Sequence, residues 1–428
     1  MTSTVLPGHP YIAYRGTDLF IEEVPVAELA QAHGTPLFVY STAAMQAALA
    51  AYQRGFAGRK VQICYAMKAN PSLAILQFFA RQGCGFDIVS GGELERVLAA
   101  GGDPGKVIFS GVGKTRAEMR QALQAGILCF NVESEAELEV LSEVAVSLGA
   151  QAPVSIRVNP NVDAKTHPYI STGLKGNKFG IAHERTLATY QRAASLPGIR
   201  VLGIDCHIGS QITEATPYLD AADRVLDLIE AIEAAGIPIH HIDFGGGLGI
   251  NYNGDTPPAA DDLWAQLLAK MDARGFGQRQ FLIEPGRSLV GNAGLCVTEV
   301  LYLKPGEEKN FCIVDAAMND LPRPAMYQAF HGIVPLQQRD NLAAQVYDVV
   351  GPVCESGDWL GRERSLAVQP GDRLAVLSAG AYCMSMASNY NTRGRAAEVL
   401  VSGGNAQVIR PRESAADSFQ HERLLAAL

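Results

Sequence analysis

In the stretch VQICYAMKAN (residues 61–70), Lys68 closes an apolar run and is followed at once by Asn70-Pro71 and a helical pattern. Lysine is among the residues least often fully buried, so its place at the end of a core-like strand asks for a use. An amine in a partly dry pocket loses its proton more readily and can form a Schiff base with an aldehyde. The plain alternative is a strand-end lysine that snorkels to water. DFGGGLG (243–249) is not a dinucleotide fingerprint, because G-x-G-x-x-G counted from Gly245 would need glycine at Ile250. It is either a tight turn or a loop whose bare N–H groups, at Gly246 and Gly247, approach an oxyanion closely. EPGR (284–287) offers Glu284, Gly286 and Arg287. Glu284 and Arg287 could be a structural ion pair, or Glu284 could hold a proton on a ring nitrogen while Arg287 takes an anion. CHIGSQ (206–211) supplies His207, able to stack on a planar ligand, and the hydroxyl of Ser210. No His/Cys/Asp spacing suggests a metal. The eight cysteines include no C-x-x-C pair, which speaks against a zinc site and a disulfide framework.

These groups stand at the ends of β-like runs. Eight such runs, at 61–68, 83–90, 107–111, 128–134, 153–159, 201–209, 240–247 and 281–286, alternate with amphipathic helical patterns, several of which end on glycine. Eight strictly alternating units predict a closed (β/α)8 TIM-type barrel. Strand parity sharpens the expectation. In the first run Val61, Ile63, Tyr65 and Met67 share one face; Gln62, Cys64, Ala66 and Lys68 share the other. In the fifth, Ser155, Arg157 and Asn159 oppose Val154, Ile156 and Val158; in the sixth, Gly203, Asp205 and His207 oppose Leu202, Ile204, Cys206 and Ile208. The large apolar face suits the outer helices, and the small or polar face converges on the barrel's C-terminal mouth. After residue 290 helical periodicity fades and β-rich pieces appear between Gly and Pro turns. The expected division is an α/β barrel over 33–286, with 1–32 and 287–428 forming a C-terminal mostly-β domain. The Gly-rich stretch 171–180 is a candidate lid.

Composition narrows the function. The chain has 428 residues, 48% of them hydrophobic and 18% charged, and a net charge of −9. That acidity argues against a nucleic-acid partner, and no apolar run reaches the ~18 residues of a membrane span. The N-terminal MTSTVLPGHP lacks a signal-peptide layout, so a cytoplasmic protein acting on a small molecule is expected.

A mouth lysine, a glycine loop for phosphate, a carboxylate for a ring nitrogen and a histidine to stack together form a binding set for pyridoxal 5'-phosphate. At these motifs the chain resembles the barrel-type pyridoxal-phosphate decarboxylases, over essentially its whole length. The resemblance implies that Lys68 is the Schiff-base residue, that His207 stacks on the ring, and that Ser210, Gly246 and Gly247 receive phosphate. It implies that Glu284 meets the ring nitrogen and that Asp87, Gly286 and Arg287 complete the cofactor contacts. In the β domain, GPVCES resembles the family segment that supplies Cys354 and Glu355 across a homodimer interface, Cys354 as proton donor. Tyr382 in GAY resembles the tyrosine that contacts phosphate and substrate. HPYISTGLKGNKFGI (167–181) resembles a segment of the branch that acts on meso-diaminopimelate. Charge agrees with that branch: Arg287 and Arg323 suit a carboxylate, Glu355 suits an ammonium, and Tyr327 adds a hydroxyl. The expected reaction is loss of CO2 from the D-configured end, giving L-lysine. Decarboxylation of ornithine or arginine, racemisation on the same fold, and a homologue without catalysis remain the alternatives.

Overall fold

The computed structural model describes residues 3–6, 8–164, 166–167, 170, 172–173 and 177–426. The candidate lid 171–180 and the 167–181 segment lie partly outside them. The chain divides into two compact units, one of residues 49–249 and 256–288, the other of 1–48, 250–255 and 289–428.

The first unit is the expected (β/α)8 barrel. Its strands are β1 (Val61–Ala66), β2 (Gly85–Ile88), β3 (Val107–Phe109), β4 (Cys129–Val132), β5 (Ala152–Asn159), β6 (Ile199–Asp205), β7 (His241–Asp243) and β8 (Gln280–Ile283). All neighbours are parallel in the order β5-β6-β7-β8-β1-β2-β3-β4, and β4 pairs back onto β5 to close the cylinder. Helices α1 (Leu73–Arg81), α2 (Gly91–Ala99), α3 (Arg116–Ala125), α4 (Glu135–Ser147), α5 (Thr186–Ser195), α6 (Thr216–Ala234) and α7 (Ala260–Ala273) follow the first seven strands. Only a one-turn helix, Arg287–Val290, follows β8. The helix Thr42–Phe56, ahead of β1, fills the eighth outer position: Phe56 packs edge-on against Trp264 of α7 at 5.5 Å, and Arg54 pairs with Asp261 at 3.0 Å.

The inner and outer faces follow the parity of the sequence. Tyr65 stacks outward on Phe79 of α1, centroids 4.4 Å apart. Inside, Cys64, Ile108, Cys129 and Leu282 form a dry floor. Residues nearer the strands' C-terminal ends are polar: Ser155 Oγ lies 2.6 Å from His241 Nε2, and Arg157, Asp205 and Asp243 follow two positions further along. Most strands stop short of the expected runs: 201–209 ends at Asp205, 240–247 at Asp243 and 281–286 at Ile283, and the first strand stops before its lysine. β1 ends at Ala66, the last residue in register with β2, and Met67–Ala69 turns into a 3-10 helix. Beyond the ladder the backbone groups have no strand partner, so a helical turn satisfies them locally.

One buried ion pair braces the barrel between β4 and α4. The Lys114 ammonium, with no exposed side-chain surface, donates to Gly111 O, Asn131 O and Glu137 Oε1 at 2.7–2.8 Å. Glu137 Oε2 accepts from the Glu133 N–H at 2.9 Å.

In the second unit, strand Leu37–Ser41 pairs with Gly294–Lys304 on one side and Ala397–Ser402 on the other. The expected division put residues 37–41 with the barrel; their five buried residues instead occupy the middle of this second sheet. The sheet runs from Trp359–Leu366 through Gln345–Val350 and Asn310–Val314 to that centre, and ends at Asn405–Arg410. Ile12, Leu19 and Ile21 from the N-terminal meander share one core with Leu37, Val39, Leu295, Val297, Val399 and Val401. Among the described residues no helix is long and apolar enough to cross a membrane.

Removing one partner of a buried, fully bonded ion pair strands the other charge, at about 3–5 kcal/mol. Lys114→Ala is therefore expected to lower the barrel's urea midpoint sharply. A change within error of the wild type would show that the pair does not brace this wall.

Candidate active site

Lys68 Nζ donates to Asp87 Oδ2 at 2.5 Å. Asp87 is fully buried and its Oδ1 has no hydrogen-bond partner among the described residues. The Lys68 side chain keeps 37% of its surface exposed, so the amine is steered by a buried carboxylate yet stays open to an incoming carbonyl. Its turn is fixed from one side. Ala66 N–H donates to Pro285 O at 3.0 Å, and a Cβ on Gly286 would lie 3.0 Å from Ala66 O. Glycine at 286 thus lets the Glu284–Arg287 turn lie directly against the turn carrying the lysine.

Glu284 is buried just past β8 and accepts from Asn131 Nδ2 at 3.1 Å and Ser110 Oγ at 3.4 Å. Burial, then Asp87, Asp243 and Asp205, push its carboxyl well above the usual range, while Lys68 pulls the other way. A carboxyl in that setting holds a proton, or shares one with a basic ring nitrogen set against it.

His207 lies just beyond β6, and its Nδ1 accepts the Gly246 N–H at 3.1 Å. Burial, reinforced by Arg157 and Lys68, holds its pKa well below the ordinary imidazole value. The ring is therefore neutral, with its proton on Nε2. The glycine loop packs against this histidine too tightly for side chains. Added Cβ atoms at Gly245, Gly246 and Gly247 would lie 2.7 Å from His207 Nδ1, 2.0 Å from Glu284 O and 2.2 Å from Gly209 O. Gly245 and Gly247 also take φ of 63° and 102°, which glycine accepts without strain. Beside the loop, Arg287 Nη2 donates to Ser210 Oγ at 2.9 Å. A bare backbone loop, a hydroxyl and a guanidinium in one place are a donor set for a phosphate.

The barrel unit thus brings together Lys68, Asp87, His207, Ser210, Gly246, Gly247, Glu284, Gly286 and Arg287. These residues fit pyridoxal phosphate at each of its functional groups: an amine for the aldehyde, a buried acid for the ring nitrogen, a neutral ring for stacking, and a cradle that any Cβ would fill. Asn131 and Ser110 hydrogen-bond Glu284, Asp205 and Asp243 each bring an oxygen within 4.8 Å of it, and Arg157 lies 4.0 Å from Asp205. Parity placed Arg157 and Asp205 on the inner face and Asp243 opens the DFGGGLG motif, but none of the five was expected as a site residue.

The remaining expected residues lie in the second unit. Arg323 is buried, donates to His331 Nε2 at 2.8 Å, and lies over the Tyr252 ring, 4.6 Å from its centroid. His331 Nδ1 sits 2.8 Å from Leu377 O; a carbonyl only accepts, so Nδ1 carries the hydrogen and Nε2 the lone pair. This fixes the guanidinium plane. Tyr327 and Tyr382 are half-buried, and Tyr382 takes a left-handed φ of 57°. Cys354 is the one exposed cysteine of the eight, and Glu355 beside it is exposed. Their loop is shaped by buried Asp358, which accepts from Val353 N–H at 2.8 Å and Met318 N–H at 2.7 Å. Cys383, by contrast, is a core residue.

The pyridoxal-binding-domain model of the pyridoxal-dependent decarboxylases matches residues 42–291, and the chain belongs to that family. Its relatives there include diaminopimelate decarboxylases. It is 54% identical over 413 residues to that of Pseudomonas aeruginosa, covering 96% of this chain and 99% of the other. The structure of diaminopimelate decarboxylase from Helicobacter pylori complexed with L-lysine matches with a TM-score of 0.88 at 41% identity, over 93% of this chain and 99% of that one. The diaminopimelate decarboxylase of M. jannaschii matches with a TM-score of 0.92 at 37% identity, over 98% and 99%.

Two substitutions separate attachment from cradling. Lys68→Ala is expected to abolish the absorbance of covalently held pyridoxal phosphate, and with it multiple turnover. Gly246→Ala should keep the lysine but weaken cofactor uptake by at least about tenfold, since its Cβ must displace the Glu284 backbone. Wild-type cofactor affinity in Gly246→Ala would show that the loop does not set the cradle.

Proposed function

We propose that this protein removes CO2 from the D-configured centre of meso-2,6-diaminopimelate to give L-lysine. It is a pyridoxal-phosphate-dependent carboxy-lyase. One observation carries the reading: an amine paired to a buried carboxylate at the mouth of the barrel, in a chain matched end to end by diaminopimelate decarboxylases.

Bound pyridoxal phosphate supplies the aldehyde that captures the substrate amine and the ring that accepts the electron pair left when CO2 departs. The protein's own groups do the rest. Lys68 holds the cofactor between turnovers and releases the product, and Asp87 keeps its amine aimed. Glu284 holds the proton at the ring nitrogen. His207, neutral and tethered to Gly246, stacks on the ring without adding a positive charge that would compete with that proton. Ser210, Gly246, Gly247 and Arg287 hold the phosphate, with Gly286 allowing the close turn and Tyr382 adding a hydroxyl contact. Arg323, locked by His331, receives the distal carboxylate together with Arg287; Tyr327 adds a hydroxyl and Glu355 takes the distal ammonium. Cys354 returns a proton to the carbon that has lost CO2.

The working form is a homodimer in which Cys354 and Glu355 serve the partner's barrel. Their exposure on a firmly shaped loop supports this, since a proton donor must meet its substrate out of bulk water. The setting is cytoplasmic, supported by eight cysteines that form no disulfide.

Offered meso-, L,L- and D,D-diaminopimelate, ornithine and arginine, the protein is expected to release CO2 and lysine from the meso isomer. Turnover confined to the amines without a distal carboxylate would refute the assignment. Mixing inactive Lys68→Ala with inactive Cys354→Ala subunits should restore roughly a quarter of the activity through shared sites, by random pairing in a dimer. No recovery on mixing would mean that each site is built from a single chain.

A further inference from the structure

We propose that Asp205 and Asp243 share one proton in the barrel wall, and that the single negative charge left on the pair keeps in place the proton between Glu284 and the ring nitrogen it faces. This rests on the assignment of Glu284 as the ring-nitrogen partner. The two aspartates are in-register neighbours on β6 and β7, so they share the inner face. One carboxylate oxygen from each, and one from Glu284, all lie within 4.8 Å of one another. Asp205 is 1% exposed and Asp243 0%. Asp243 Oδ1 accepts the Gly245 N–H at 2.8 Å, and Asp205 Oδ2 lies 4.0 Å from Arg157 Nε. The other oxygen of each, Asp205 Oδ1 and Asp243 Oδ2, has no hydrogen-bond partner among the described residues. The two carboxylates, within 4.8 Å of each other, thus each present an unsatisfied acceptor, and one proton held by the pair answers to both.

The charges around the pair leave little alternative. Lys68 is bound to Asp87, and Arg157 to Glu133 at 2.8 Å. The thiols of Cys64, Cys129 and Cys206 are pushed up by burial, and His207 and His241 are pushed down, so all five are neutral. Among the described residues Asp243 and Glu284 have no ion-pair partner, and Asp205 has only Arg157 at 4.0 Å, already bonded to Glu133. A protonated ring nitrogen offsets Glu284 alone, and the aspartates still need a proton. Burial moves both in the same direction, Asp205 up to about 7 and Asp243 well above the usual range. Both act through Glu284 and are positioning residues.

Infrared spectra of the holoenzyme, with aspartate carboxyls carbon-13 labelled, read the proton directly and without turnover. A protonated aspartyl band is expected near neutral pH, absent in both Asp205→Asn and Asp243→Asn, where the new amide donates to the remaining carboxylate. A wild type with no such band from pH 5 to 8 overturns the proposal, as does a band that survives both substitutions. Folding stability gives a second readout. An acid whose pKa is raised in the fold contributes stability that is fully present below its unfolded value and lost as pH rises through the folded one. The wild type should therefore lose urea resistance relative to Asp205→Asn as pH climbs from about 4 through about 7; parallel profiles contradict the shared proton. With nitrogen-15 cofactor, the double variant Asp205→Asn/Asp243→Asn, which removes the charge that either single variant keeps, should lower the pH at which the ring nitrogen deprotonates. The alkaline limb of kcat should fall with it, and KM should stay near the wild-type value. An unmoved nitrogen titration overturns the coupling to Glu284. An inactive protein that still shows the aspartyl band would count against the reaction assigned above and leave the proton pair standing.

Discussion

The barrel's active end is organised around an excess of buried negative charge. Asp87, Glu133, Asp205, Asp243 and Glu284 are all buried there, with Lys68 paired to Asp87 and Arg157 to Glu133. A carboxylate taken out of water must be paired, hydrogen-bonded or protonated, and this cavity uses all three. Lys68 is held because Asp87 needs it. Glu284 is poised to keep a proton because its neighbours leave no cation to spare. An arrangement so unfavourable for a simple core is reasonable only where a cationic, proton-bearing ligand is to be received.

Close backbone approach is the second requirement. Gly286 brings the Glu284 turn against the Lys68 turn, and Gly245–Gly247 bring a loop against His207 and Glu284. The amine, the acid and the histidine come from three separate strand ends, yet each touches a glycine that lets its neighbour sit within van der Waals distance. Cofactor chemistry on this scaffold is then a matter of positioning, with the barrel setting directions and the glycines setting distances.

The second unit contributes residues of a different kind. Arg323 is held by a hydrogen bond to His331 and by the Tyr252 ring. Cys354 and Glu355 stand exposed on a loop whose shape comes from a single buried carboxylate, Asp358. Cys354 is exposed while the other seven cysteines are buried, a distinction that composition does not make.

Much of this was legible in the residues themselves. Eight alternating units fixed the number of strands. Period-2 parity separated Tyr65, which meets a helix, from Cys64, which faces inward. The motifs around Lys68, His207, Gly246 and Glu284 marked the cofactor set, because strand alternation and glycine chemistry are local and survive in one dimension. Three things were not legible. Strand 37–41 reads like any other apolar run, and only its partners show that it centres the second sheet. The strand expected to reach Lys68 stops at Ala66, because a ladder ends where its neighbour does. Asp205 and Asp243 looked like ordinary strand-end acids. They are linked because β6 and β7 are neighbours in register, and only that contact makes two carboxylates compete for one proton. Sequence determined which groups could do chemistry and which face they occupied. Tertiary structure decided which of them share an environment, because burial and charge coupling belong to the assembled space and to no residue alone.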